Sequence, residues 1–130
     1  MGYILPESFY LRLDPKIRKL VRILHEKWIL TKGACEGDLD PKKYPPYPVV
    51  FIPLYPPNTD HMDALSWLFQ KLGEWNRQGH DWVLRPYCYF PQAYHWLFLE
   101  PREKNKRRSP SVLARLQKEA EDLAEFLSRF

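Results

Sequence analysis

Residues 81–100 read DWVLRPYCYFPQAYHWLFLE, and this stretch decides the class of fold. The side chains alternate well enough for two strands, over 81–90 and 94–100, with Pro91, Gln92 and Ala93 left between them as a tight turn. Setting Phe90 opposite Tyr94 pairs Cys88 with Trp96 and Pro86 with Phe98 on one side of this hairpin. Tyr89 then meets His95, Tyr87 meets Leu97 and Arg85 meets Leu99 on the other side. Both faces are apolar or aromatic, so each needs a cover: helices on both, or helices on one and a partner on the other.

The flanking sequence supplies helices. Asp14 before Pro15 reads as an N-cap with proline at the first helical position, and Gly33 as a stop, which predicts a helix over 14–32. Ile17, Leu20, Val21, Leu24 and Trp28 share one face, whereas Arg18, Lys19 and Arg22 make the opposite face basic, with Glu26 as a partial balance. Asn58, Thr59 and Asp60 are successive N-cap candidates for a second helix over roughly 60–77, closed by Gln78 and Gly79. Its expected core stripe is Met62, Leu65, Leu68, Phe69 and Leu72; Trp75 sits at the margin and Trp67 near the far side, where a tryptophan suits a binding hot spot. Ser109 and Pro110 open a third helix whose stripe runs through Val112, Leu113, Leu116, Ala120, Leu123, Phe126, Leu127 and Phe130. Its outer face, with Lys118, Glu119, Glu121, Asp122 and Glu125, is mildly acidic and ill suited to reading nucleic acid.

Between these helices, residues 34–48 are acidic and then proline-rich, which reads as a structured connector. Val49, Val50, Phe51, Ile52 and Leu54 form a short β-rich run that Pro48 and Pro53 push towards an edge or irregular strand, with Pro56 and Pro57 ending it. The expected order is helix, strand, helix, strand, strand, helix. That is an α+β fold in one compact domain over residues 1–130, with a small, mainly antiparallel sheet and about three helices. Its βαββα stretch is shared by split-βαβ folds, which host many functions.

A hydrophobic fraction of 45% and an aromatic fraction of 15% supply enough burial for a folded core. No apolar run approaches the roughly 18 residues of a membrane span. The start, Met1 to Pro6, has neither a charged leader with a long apolar segment nor a lipidation pattern, and Cys35 and Cys88 are too few for a disulfide framework. A reducing cytoplasmic setting is therefore expected, with no membrane partner.

Chemistry-bearing residues are scattered. His25, His61, His80 and His95 lack the spacing of zinc ligands, so neither metal nor cofactor is expected. Asp60, His61 and Asp63 suit helix capping; His80 beside Asp81 is sequence adjacency, not a base and its orienter. Cys88, between Tyr87 and Tyr89, reads as an inert buried thiol, and the five glycines build no phosphate loop. No enzymatic activity is expected. A small metal-dependent nuclease would need carboxylates gathered in a basic cleft.

The positive signal is charge. Arg102, Lys104, Lys106, Arg107 and Arg108, less Glu103, give the 101–109 loop a net +4, equal to the formal net charge of the whole chain. The expected function is a non-catalytic regulatory protein that docks on a larger nucleic-acid-handling complex, for example transcription machinery. Its anchors would be this loop, Trp67 and the Tyr44-Pro45-Pro46-Tyr47 segment. The alternative is direct DNA or RNA binding, with phosphates met by the loop and by Arg18, Lys19 and Arg22, and bases stacked on Tyr87, Tyr89 or Trp96.

Overall fold

The computed structural model describes residues 2–3, 5–43, 45–54, 59–89 and 94–130, with backbone alone for 59, 88, 89, 94 and 95. Along the chain run α1 (Glu7–Leu11), α2 (Pro15–Glu26), β1 (Gly33–Cys35), β2 (Val49–Pro53), α3 (Thr59–Asn76), β3 (Trp82–Tyr89), β4 (Tyr94–Pro101) and α4 (Pro110–Ser128). The strands form one sheet in the order β1-β2-β4-β3, each neighbouring pair antiparallel. β2 and β3 therefore run parallel with β4 between them, and β2–α3–β3 is a split βαβ unit to which β1 adds an edge. The α+β class and the single compact domain hold, with four helices among the described residues where about three were expected.

Two elements escape the sequence reading. The five residues of α1 lack a stripe of their own and are held by α2: Arg22 pairs with Glu7 at 2.6 Å and lies 4.5 Å over the Tyr10 ring. β1 begins at Gly33, the residue expected to end a helix and lead into a connector; its three residues pair with β2 instead. Proline does not push β2 to an edge, because Pro53 stands at the strand's last residue, where a missing N–H costs little, and the strand lies inside the sheet between β1 and β4.

α2 stops at Glu26, short of the expected 32. Trp28 N–H reaches the His25 carbonyl at 3.1 Å and Ile29 N–H the Leu24 carbonyl at 2.9 Å, the bond pattern of a Schellman ending. Trp28 takes the left-handed position of that motif, φ 69°, so it leaves the helix and is 42% exposed instead of buried in the stripe. In α3 the buried face is turned from the expected one. His61, Ala64, Leu65, Leu68, Leu72 and Trp75 are buried, whereas Met62 and Phe69 face outward and Trp67 is half-buried. In α4 the expected stripe is buried from Leu113 to Leu127; Val112 is half-buried and Phe130, beyond the helix, is exposed.

The hairpin register differs from the expected one by a single residue. Tyr89 faces Tyr94, Tyr87 faces Trp96, Arg85 faces Phe98 and Leu84 faces Leu99. Such a slip exchanges the faces of one strand relative to the other. The expected turn residues Pro91, Gln92 and Ala93, together with Phe90, lie outside the described residues, as do Asn58, Pro56 and Pro57. The inner face now carries Val50, Ile52, Trp82, Leu84, Leu97 and Leu99, which join the helix residues Leu20, Leu24, Leu68 and Leu123 in one core. The described helices thus belong to one side of the sheet.

Candidate functional site: the outer face of the sheet

The face turned away from the helices carries aromatic and charged side chains in register. Gly33, Phe51, Phe98 and Arg85 form one row across four strands; Pro53, Trp96 and Tyr87 form the next. A Cβ at Gly33 would make ordinary van der Waals contact with the Phe51 ring, at 3.4 Å, so the row does not depend on glycine there. Phe51 meets Phe98 edge-on at 5.0 Å between centroids, and Tyr87 stacks on Phe98 at 5.2 Å with planes 14° apart. The Arg85 guanidinium lies 4.9 Å from the Phe98 centroid. Tyr87 is 38% exposed and Trp96 partly exposed, so the two facing residues present ring surface outward. Sequence reasoning put these two on opposite faces; the true register brings them together. The backbone of Tyr89 pairs with Tyr94, and its side chain lies outside the described residues.

At the end of β4 the same face holds Glu100, fully buried, which accepts from Arg85 Nε at 3.1 Å and from Lys104 Nζ. A buried carboxylate is tolerable only with such partners. Hydrogen bonding to Glu100 holds the Arg85 guanidinium above its ordinary pKa. Lys104 also stands 4.8 Å over the Tyr47 ring, and burial, with Glu100 nearby, pushes the Tyr47 phenol up.

The basic loop is more structural than its composition suggests. Arg102 pairs with Asp81 at 2.9 Å, and Arg108, at φ 53°, donates to the carbonyls of Asp38 and Asp40 at 3.2 and 3.4 Å. Buried Asn105 donates to Pro46 O at 2.8 Å and accepts from Ser109 N at 2.9 Å, locking the loop to the connector and to α4. Ser109 in turn caps α4 by accepting from Val112 N. Lys106 and Arg107 remain exposed, without an ion-pair partner among the described residues. With Arg102, Lys104, Ser109 and Val112 they line an open hollow of about 620 Å³.

The other expected contacts are dispersed. Arg18 donates to the Leu11 and Leu13 carbonyls at 3.4 and 3.1 Å and so caps α1, Arg22 is engaged with Glu7, and Lys19 borders acidic residues of α4. Trp67 packs edge-on against Phe130 at 6.5 Å, far from the sheet's outer face in the helix layer. Tyr44 lies outside the described residues, while Pro46 is buried under Asn105.

The described histidines act as struts. His61 Nδ1 accepts from Leu30 N at 3.2 Å, which leaves Nε2 to donate to Pro53 O at 2.7 Å, tying α3 to β2 and to the segment after α2. His25 is buried, with Tyr10 Oη 3.0 Å from Nδ1 and Thr31 Oγ1 2.8 Å from Nε2, and burial lowers its pKa. His80 stacks on Trp75 at 3.9 Å. Among the described residues no helix is long and apolar enough to cross a membrane, and no group of three or more His, Cys, Asp or Glu is placed to hold a metal ion. The chain matches no protein-family model, no curated protein and no solved structure.

Proposed function

We propose that this chain is a non-catalytic binding protein that holds a single strand of nucleic acid on the outer face of its sheet, as a component of a larger nucleic-acid-handling complex. The observation that carries the reading is the pairing of Tyr87 with Trp96 on the face away from the helices, beside Phe51, Phe98 and Arg85. Unpaired bases stack on rings displayed in this way, and every base has such a face, so recognition would tolerate sequence. Lys106 and Arg107, in the loop that follows β4, would meet phosphates; the cations already paired within the fold add less. The loop, locked by Asn105 to the connector and to α4, holds that charge beyond the end of β4 at little ordering cost. A reducing cytoplasmic setting agrees with the free, buried thiol of Cys35.

Fluorescence anisotropy with labelled single- and double-stranded DNA and RNA, across a salt series, tests the proposal. Single strands are expected to bind more tightly than duplexes. Tyr87→Ala and Trp96→Ala should each weaken binding by about 1–3 kcal/mol. The double variant Lys106→Ala, Arg107→Ala should flatten the salt slope by about 1.4, roughly 0.7 for each phosphate no longer neutralised. Absence of binding at low salt, or binding indifferent to both ring deletions, would overturn it.

A further inference from the structure

A second surface lies in the helix layer, where an open groove of about 440 Å³ has Trp28, Trp67 and Phe130 among its walls. Tyr3 supports Trp28 edge-on at 5.3 Å, and Phe130 meets Trp67 at 6.5 Å. Glu26, Asp60 and Asp63 line the same groove; against them stands Lys27, leaving a net charge of −2. The chain's own cations already use these rings. Lys27 Nζ is 5.9 Å from the Trp67 centroid while donating to Phe130 O at 2.5 Å, and Lys71 Nζ is 4.0 Å over the Phe130 ring.

We infer that this groove docks an arginine-bearing segment of a protein partner, the Trp28 ring stacking on a guanidinium that Asp60, Asp63 or Glu26 holds by its edge. Charge complementarity selects the occupant: aromatic faces beside carboxylates attract cations, and a guanidinium can stack and fork-bond at once where an ammonium cannot. Trp28 supplies a second line of argument. It occupies the left-handed position of a helix ending that favours glycine and still keeps 42% of its surface exposed, area that a guanidinium can cover.

The test is titration of the purified protein with a labelled peptide of alternating Arg and Gly at low salt, beside its citrulline counterpart, which keeps the shape and loses the charge. The arginine peptide is expected to bind at least tenfold more tightly. Trp28→Gly should weaken that binding tenfold or more while the variant still unfolds cooperatively in urea. Asp63→Asn should weaken it several-fold, and Asp122→Asn, on α4, should leave it unchanged. Equal binding of the two peptides, unchanged binding by Trp28→Gly, or equal effects of the two aspartate changes would each overturn the inference.

Discussion

Trp28 stands where helices ending in this pattern ordinarily have glycine, at a backbone cost of about 1 kcal/mol or more. The sequence signalled a helix stripe through Trp28 because the i, i+11 spacing from Ile17 was met; it held no sign that the hydrogen bonds would close two residues earlier. His25 and Glu100 are equally hidden in the sequence, since only tertiary contacts bury them. His25 is lowered from its ordinary 6.5 by burial, so the unfolded chain takes up the proton more readily than the native one. Its contribution is fully present above pH 6.5 and is lost as pH falls from there towards the lowered native value. Urea midpoints of the wild type should therefore drop on acidification from pH about 7.5 to 5, and His25→Gln should drop less; parallel curves would contradict this. Glu100→Gln should cost about 1–3 kcal/mol in urea, the scale of hydrogen bonds to charged groups, because Arg85 and Lys104 lose their shared partner while keeping access to water.

At the level of elements, α4 was readable because its apolar stripe is long and regular and its start, Ser109-Pro110, announces itself. α3 was readable as a helix but not in orientation. Met62 and Phe69 compete with His61 and Ala64 for the inward face, and the histidine prevails because its two ring nitrogens join Leu30 and Pro53. The buried face can be checked by contrast: Leu68→Ala should cost about 2–5 kcal/mol, whereas Phe69→Ala, next to it but exposed, should cost under about 1 kcal/mol in the same urea assay. Reversed values would restore the face expected from periodicity. β1 and α1 were invisible for a different reason: at three and five residues they carry no period, and pairing with β2 and with Arg22 makes them.

For the molecule as a whole, the described helices pack on one side of a two-faced aromatic sheet, and the two candidate surfaces lie in different layers. They should act independently. Tyr87→Ala should change affinity for the arginine peptide by less than about 0.5 kcal/mol, and Trp28→Gly should do the same for single-stranded oligonucleotides, as expected for well-separated sites. Coupling between them would instead point to one continuous surface. The concentration of net charge at 101–108 was plain in the sequence. Its meaning was not, because Asp81 and the carbonyls of Asp38 and Asp40 arrive from other parts of the chain to occupy Arg102 and Arg108, and neighbouring Glu100, buried by the fold, takes Lys104.

The class of fold, its three long helices and the hairpin follow from periodicity, caps and proline placement, which are local properties and survive any tertiary arrangement. Which rings share a face does not follow. With a strand period of two, a slip of one residue converts Tyr87 and Trp96 from opposite sides into neighbours, and the register is settled by the burial of Leu84, Leu97 and Leu99 against β2 and the helices. Local patterning specifies elements; long-range burial and pairing specify the surface on which function would be carried.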